Sequence, residues 1–416
     1  MIKRIIITAC LLLSLVAAAQ QGTSSPYSYY GIGDIRYKGA LETRSMGGVS
    51  VEQDSIHMNF DNPASYASLK LTTFTMSATY GTTKLKTDSD KATAKRTTLD
   101  YLGIGIPIGK LGFGFGLIPY SSVGYKIESL TSVVGETNKR LEGSGGLNKV
   151  FAGLGYKITP NFTIGADVSY NFGKIEASNL EFITDVPVGT RESNVANLSG
   201  VNYNIGSMYQ TKITKKLSLF SSVSYMIEST LSATNERNIA TVKYNSAFDL
   251  VVSDSFDAVK TKNDLKLPSK ITFGLGVGET RKWLLGGQVA LRDKGNFSNN
   301  YNNVGDATFG KYAKYSLGGY YIPNYNSFTS YAKRITYRGG FRYEKTGLIV
   351  NNQSINDRAV TLGFGLPSSG SFSNFNFGLE IGKKGTTAAG LIQENYANVS
   401  VSFSLNDRWF ERRKFN

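Results

Sequence analysis

The end of the chain alternates strictly between apolar and polar residues. From Ala397 to Leu405, every second residue is Ala, Val, Phe or Leu, and the residues between them are Asn or Ser. A period of two places successive side chains on opposite faces of a β-strand, so this strand has one apolar and one polar face. The pattern recurs at 162–172, 217–227, 335–342 and 375–381. These runs are long for strands of a soluble protein and indicate strands that cross a membrane.

Alternation and turn residues together mark fourteen strands. They are predicted at 70–83, 98–108, 111–125, 148–158, 161–173, 198–212, 217–229, 270–279, 283–293, 313–322, 332–344, 357–366, 374–382 and 394–405. Their connections alternate in length, the short ones being 109–110, 159–160, 214–216, 280–282, 323–331 and 367–373. Short periplasmic turns, long extracellular loops and an even strand number are typical of bacterial outer-membrane barrels.

We therefore predict an all-β fold, a 14-stranded antiparallel transmembrane β-barrel over 70–405. It is expected in the Gram-negative outer membrane, with both termini periplasmic and a C-terminal tail at 406–416. The alternative is a secreted sandwich or propeller. Such a fold would have to satisfy buried polar faces such as Ser400, Ser402 and Ser404.

The first nineteen residues have the features of a secretory signal peptide. Lys3 and Arg4 precede an apolar run at 5–16, and three alanines end at Ala19, where we predict cleavage. Cys10 leaves a lipoprotein signal as the less favoured alternative. The mature chain would then contain no cysteine, and its one histidine is His57. This composition excludes zinc modules, disulfide-stapled folds and active sites that need several histidines.

Residues 20–69 do not alternate, and they contain several small-residue motifs. A barrel of fourteen strands is wide enough that its lumen holds either water or a plug. We therefore predict that 20–69 is an N-terminal hatch, a compact plug folded into the lumen.

The motifs of this segment resemble those of a known family. They are Arg44 to Gly48, then Asp54-Ser55, then Asn62-Pro63-Ala64, with further matches at 105–107, 116–120 and 407–414. The pattern resembles FadL-type barrels, which carry long-chain fatty acids and other hydrophobic molecules across the outer membrane, and their PorV-like relatives in Bacteroidota. The resemblance implies fourteen strands and an N-terminal hatch. It also implies a hatch motif made of Arg44, Gly47, Gly48, Asp54, Asn62, Pro63 and Ala64.

Alternation also predicts a basic wall inside the lumen. It consists of Arg292, Lys314, Arg334, Arg338 and Arg342, and the acids Asp167, Glu228 and Glu380 are predicted to point inward from other strands. The wall either binds an anionic headgroup, for which guanidinium groups are suited, or pins the hatch through its acids. We favour pinning, with Asp34, Glu42, Asp54 and Asp61 as the hatch acids.

Two functions remain open. The first is uptake of hydrophobic small molecules resembling long-chain fatty acids, as the family resemblance implies. The alternative is a non-transporting subunit of a multiprotein outer-membrane complex for protein secretion or barrel assembly. We expect no enzymatic activity, cofactor or metal, since His57 has no catalytic constellation around it and the Gly-rich run at 143–146 lacks the features of a phosphate loop.

The predicted partners follow from the same features. They are outer-membrane lipid, a hydrophobic ligand, and outer-membrane or periplasmic proteins that dock at the basic periplasmic side and the tail. The formal net charge is +15, and about half of it falls in the short connections and the tail. Nucleic acid is not expected. The basic residues have a simpler explanation as well, because Lys and Arg keep turns hydrated and snorkel at interfaces.

Overall fold

The computed structural model describes residues 22–131, 133, 135–245, 249–295, 307–368 and 372–409. It is almost entirely β-structure. The strands are β1 (Asp34–Ile35), β2 (Thr72–Lys86), β3 (Lys91–Ile108), β4 (Leu111–Pro119), β5 (Ser121–Ser129), β6 (Thr137–Lys157), β7 (Phe162–Ile183), β8 (Val188–Lys212), β9 (Ser218–Met226), β10 (Ser229–Tyr244), β11 (Leu250–Ser255), β12 (Val259–Leu267), β13 (Lys270–Glu279), β14 (Trp283–Arg292), β15 (Ala307–Phe309), β16 (Tyr312–Tyr321), β17 (Thr336–Val350), β18 (Gln353–Pro367), β19 (Asn374–Lys384) and β20 (Gln393–Asp407).

All of these strands except the short β1 and β11 form a closed antiparallel barrel of fourteen staves. Four staves are each built from two successive strands that meet at a kink or break, namely β4 with β5, β9 with β10, β12 with β13, and β15 with β16. The barrel closes where β2 pairs with β20, in register from Thr72 opposite Asp407 to Lys86 opposite Gln393. Strand number and antiparallel order confirm the sequence prediction.

The two ends of the barrel differ. At one end, called the turn end, β3 and β4 are joined by Gly109 and Lys110, and the other connections there include 280–282 and 322–335. At the opposite end, called the hairpin end, paired strands continue far beyond the predicted ones. β8 begins at Val188 rather than at 198, and β6 begins at Thr137 rather than at 148. Several predicted long loops are therefore strand extensions, and β2 and β3 are joined by 87–90.

The described pairing of the wall is interrupted between β3 and β5. β3 pairs with β4 from Leu102 to Ile108. Among the described residues, the earlier part of β3, 91–101, pairs only with β2. β5 pairs with β6 and, through Ser121 and Ser122, with the short β1. A gap therefore separates β3 from β5 in the hairpin half of the wall.

Residues 22–71 run through the interior of this barrel. They contain the four-residue helix α1 (Leu41–Arg44) and 3-10 turns at Pro26–Tyr29 and Pro63–Ser68. Their side chains contact inward-facing residues of strands on opposite sides of the wall, as detailed below. No helix in the described ranges is long and apolar enough to cross a membrane. The predicted signal peptide, with Cys10, and the tail beyond Trp409 lie outside the described residues.

Candidate functional site

Ion pairs connect segment 22–71 to three strands of the wall, β3, β18 and β19, of which the last two are neighbours. The Arg44 guanidinium donates to Asp100 at 2.9 Å, and both side chains are about one-tenth exposed. Lys38 lies 2.5 Å from Asp357. A third pair joins Asp34 to Lys384 at 2.7 Å. In the first two pairs the segment supplies the cation and the wall supplies the acid.

Glycines allow the segment to approach the wall at backbone distance. Gly47 has a positive φ of 69°, and a Cβ there would lie 2.5 Å from the carbonyl oxygen of Phe341. Its N–H donates to Thr361 Oγ1 at 2.9 Å. Gly48 has a φ of 97° and lies against the Lys314 side chain. Only a residue without a Cβ adopts these conformations without strain in so little space.

The Asn-Pro-Ala box fixes the end of the segment. The Asn62 side-chain oxygen accepts the N–H of Ala64 at 3.0 Å and so caps the 3-10 turn that begins at Pro63. The Asn62 amide donates to the wall carbonyls of Ser207 at 3.1 Å and Val223 at 3.0 Å. One side chain thereby caps a turn and anchors it to two adjacent strands.

The residues of the predicted basic wall do not have the partners that the sequence predicted. Arg342 is buried, and its ion pairs are with Glu380 at 2.7 Å, Asp357 at 3.1 Å and Glu344 at 3.7 Å, all wall residues. It therefore binds no hatch acid. Glu42, a predicted hatch acid, instead accepts hydrogen bonds from Asn376 at 2.8 Å and Ser402 at 3.2 Å.

Other predicted lumen residues have different positions. Arg334 is not on a strand; it lies in a 3-10 turn at Ala332–Arg334, because β17 begins only at Thr336. Glu228 is exposed between β9 and β10 rather than inward. Arg338 is buried and donates to Asn376 at 3.0 Å, and Asp167 is also buried as predicted.

Two cavities lie on opposite sides of segment 22–71. The inner cavity, about 180 Å³ on the hairpin side, is lined by Tyr30, Phe60, Arg292 and Lys314 among others. The mouth cavity, about 800 Å³, is at the turn end, and Glu52, His57, Arg281, Arg334 and Arg338 contribute to its lining. The segment stands between the two cavities.

The segment carries a cluster of titratable groups at the mouth cavity. Burial, and then the nearby charge of Asp54, raise the pKa of Glu52 to about 7. Burial raises the pKa of Asp54, but the charge and hydrogen bond of His57 outweigh burial and lower this pKa to about 2. The distance between His57 Nδ1 and Asp54 Oδ2 is 2.7 Å. The Tyr320 hydroxyl donates to Glu52 at 3.0 Å. Burial opposes protonation of His57, yet Asp54 raises its pKa overall.

Comparison with protein families shows which family this chain belongs to. The family model described as BamG matches residues 1–416. The chain belongs to the BamG family. No curated protein sequence is similar to it at a significant level.

Solved structures similar to this BamG-family chain are FadL-type barrels. The Pseudomonas putida toluene transporter TodX is 15% identical over 91% of this chain and 100% of that one, with a TM-score of 0.60. The Ralstonia pickettii toluene transporter TbuX is 12% identical over 89% and 98%, with a TM-score of 0.58. A Pseudomonas aeruginosa FadL homologue is 12% identical over 90% and 98%, with a TM-score of 0.56. At these identities the similarity establishes the fold, which is that of outer-membrane barrels.

Sequence patterns missed several residues of this BamG-family site. Lys38, Asp100, Asp357 and Lys384 make the contacts between segment and wall, yet none was singled out. One signal was present, since Asp100 and Asp357 place a charge on the inward face of a strand. Among the described residues, no group of three or more His, Cys, Asp or Glu side chains is arranged to hold a metal ion.

Proposed function

We propose that this protein is a non-transporting structural subunit of a multiprotein complex in the outer membrane. The observation that carries the proposal is the attachment of segment 22–71 to the wall by Arg44–Asp100, Lys38–Asp357 and Asp34–Lys384. Removing one partner of a buried ion pair costs about 3–5 kcal/mol, because the other charge stays buried. Opening a passage would require several such losses together, so a closed lumen is the favoured state.

We take barrel assembly as the first task of that complex to test and protein secretion as the second. In this role the barrel contributes surfaces rather than a pore or a reaction. We place the turn end in the periplasm, in keeping with short periplasmic turns of outer-membrane barrels. Periplasmic partners would then meet the turn end.

Uptake of a hydrophobic small molecule is the second candidate. The inner cavity favours it, because aromatic side chains such as Tyr30 and Phe60 line it together with the cations Arg292 and Lys314. That arrangement suits an apolar molecule with an anionic headgroup. The gap between β3 and β5 would supply a lateral route from this half of the lumen.

A disulfide lock distinguishes the two functions. A Cβ added at Gly378 would lie 3.1 Å from Ser45 Oγ, which is within reach of a disulfide. The double variant Ser45→Cys, Gly378→Cys would therefore fix α1 to β19 in the oxidising periplasm. The same protein after reduction and the single variant Ser45→Cys are the matched controls.

We expect the oxidised lock to leave the co-purifying outer-membrane proteins and the amounts of folded barrels in the membrane unchanged. A structural subunit does not need its lumen segment to move. Loss of growth on long-chain fatty acids or toluene-like compounds on oxidation, restored by reduction, would instead establish uptake. Purification of the native protein without any partner protein would also contradict the subunit proposal.

A further inference from the structure

The connection 322–335 at the turn end exposes an aromatic surface. Phe328 is fully exposed at 101%, and Tyr325 and Tyr331 are each more than 40% exposed. Large aromatic side chains are enriched where proteins bind other proteins, and an exposed group of them marks such a surface. We call Arg281, Tyr325, Phe328, Tyr331 and Arg334 the mouth surface.

The arginines of this surface are held against its tyrosines. The guanidinium of Arg281 lies 5.1 Å from the centre of the Tyr325 ring, and that of Arg334 lies 5.1 Å from the Tyr331 ring. Within the described residues, neither guanidinium has a carboxylate at ion-pair distance. Stacking fixes the plane of a guanidinium and leaves its edge N–H groups for a carboxylate. Two oriented binding groups for carboxylates therefore stand beside exposed rings.

Several exposed cations at the hairpin end have carboxylate partners on the wall, whereas Lys243 and Lys262 there have none among the described residues. The exposed or partly exposed pairs there are Lys126–Glu142, Lys139–Glu181, Arg140–Glu128, Lys174–Glu176, Arg237–Glu192 and Lys260–Glu236. In the described part of the turn end, the corresponding pair between strand residues and connections is Lys282–Glu279. Exposed Lys110, Lys215, Lys216 and Lys333 add further positive charge at this end without such a pair. The mouth surface is thus accompanied at the turn end by four exposed lysines that have no ion pair among the described residues.

The position of the two arginines favours a protein over a lipid as their partner. Both line the mouth cavity together with Glu52 and His57 of the lumen segment. Lipid headgroups surround a barrel from outside and do not reach into its mouth. The carboxylates that meet these guanidinium groups must enter from the aqueous periplasmic side.

We propose that the mouth surface docks an acidic segment of a periplasmic partner protein that also carries apolar side chains. The carboxylates of the segment bind Arg281 and Arg334 at the mouth cavity, and its apolar residues pack on Phe328. This inference rests on the proposed subunit function and names the chemistry of the partner. Charge complementarity speeds encounter and fixes orientation, while aromatic contact supplies most of the affinity.

A charge-reversal pair tests the inference directly. The mouth variant is Arg281→Glu with Arg334→Glu, and the matched control at the hairpin end is Lys243→Glu with Lys262→Glu, both exposed lysines. The full chain is placed in nanodiscs and titrated with a fluorescein-labelled peptide of eight glutamates and two leucines. We expect at least about tenfold weaker binding to the mouth variant, no change in the control, and weakening by salt.

Nanodiscs that contain phosphatidylglycerol separate protein from membrane as the occupant. We expect peptide binding to persist in them, and displacement of the peptide by the anionic lipid would overturn the proposal. The Phe328→Ala variant should weaken binding by a factor that does not depend on salt. Equal binding to wild type and the mouth variant would also overturn it.

Purification from cells separates this inference from the proposed function. If partner proteins co-purify with wild type and are lost from the mouth variant but not from the control, both stand. If partners are retained by the mouth variant, the docking surface is wrong and the subunit function stands. If wild type has no partners, the subunit function fails.

Discussion

At the scale of single residues, two of the three ion pairs between segment and wall have the opposite polarity from the one that alternation predicted, and Asp34–Lys384 has the predicted one. The sequence predicted wall cations and hatch acids, whereas Lys38 and Arg44 of the segment bind wall acids. Alternation tells which side chains point inward. It does not tell which inward residues meet, because that depends on the stagger of strands distant in sequence and on the path of an irregular segment.

The Arg44–Asp100 pair gives the first prediction. Arg44→Gln leaves the buried Asp100 with its hydrogen bonds from Ser77 and Thr79 but without its counter-charge. We expect a loss of about 3–5 kcal/mol in the attachment of the segment. Proteinase K should then cleave within 22–71 in the purified barrel. The exposed pair Arg140–Glu128 supplies the control, because Arg140→Gln should cost no more than ~1 kcal/mol. Equal protease resistance of both variants would contradict this ranking.

Glu52 gives a prediction about pH. Its pKa in the folded protein is about 7, above the ordinary 4.5. A raised carboxyl pKa means that the folded state holds the proton more tightly. The contribution of Glu52 to the stability of the folded state is fully present below pH 4.5 and is lost as pH rises through 7. We expect the free energy that holds the segment in its folded position to fall by on the order of 2 kcal/mol between pH 5 and pH 8.

Hydrogen exchange of 50–58 at the two pH values measures this effect. Glu52→Gln should retain the bond from Tyr320 and remove most of the difference between the two pH values. The remaining difference should have the same sign, because the pKa of His57 is raised as well. Unchanged pH dependence in the glutamine variant would show that Glu52 does not titrate in this range.

At the scale of elements, the sequence predicted the centre of each strand better than its end. Apolar alternation arises where one face meets lipid, so it marks the membrane-spanning part, such as Phe162–Phe172 of β7. Beyond the lipid both faces can be polar, as at 188–194 of β8, and the period-two signal disappears. Hairpin pairing continues there through backbone hydrogen bonds and charged pairs such as Arg237–Glu192, which a period-two apolar pattern does not record.

The last strand tests the assignment of faces. Val401 lies on the outward face with Val399 and Leu405, which are about half exposed. Val401→Arg should cost roughly 2–4 kcal/mol if it lies near the bilayer midplane. Asn395→Arg, on the same face near the hairpin end, should cost at most ~1 kcal/mol. Heat-modifiability on gels compares them, and equal damage would mean that β20 sits at a different depth.

A charge introduced on the inward face of β20 is also expected to destabilise the protein. Ser402 is fully buried, and its hydroxyl donates to Glu42 at 3.2 Å. A water-filled lumen would accept an arginine at this position. Here Ser402→Arg must displace α1, so we expect cleavage within 22–71 as well as loss of barrel stability. The filled lumen, rather than the strand pattern, determines this outcome.

At the scale of the whole molecule, strand count and closure follow from the sequence, while the state of the lumen does not. Fourteen amphipathic strands require a barrel wide enough for a plug. Whether the plug is fixed depends on contacts such as Asn62 to the carbonyls of Ser207 and Val223, which join residues about 150 positions apart. The same barrel fold therefore serves for channels and, in our proposal, for a closed subunit.

Orientation in the membrane is the remaining whole-molecule property, and both proposals depend on it. The connection 87–90 is at the hairpin end, and Lys215 is at the turn end; both are exposed. An epitope inserted after Asp88 should be reached by antibody on intact cells, because outer-membrane barrels direct their extended ends outward. An epitope after Lys215 should react only after the outer membrane is permeabilised. Equal amounts of heat-modifiable barrel in both strains provide the control for folding. The reverse labelling would place the mouth surface outside the cell, where it could not meet a periplasmic partner.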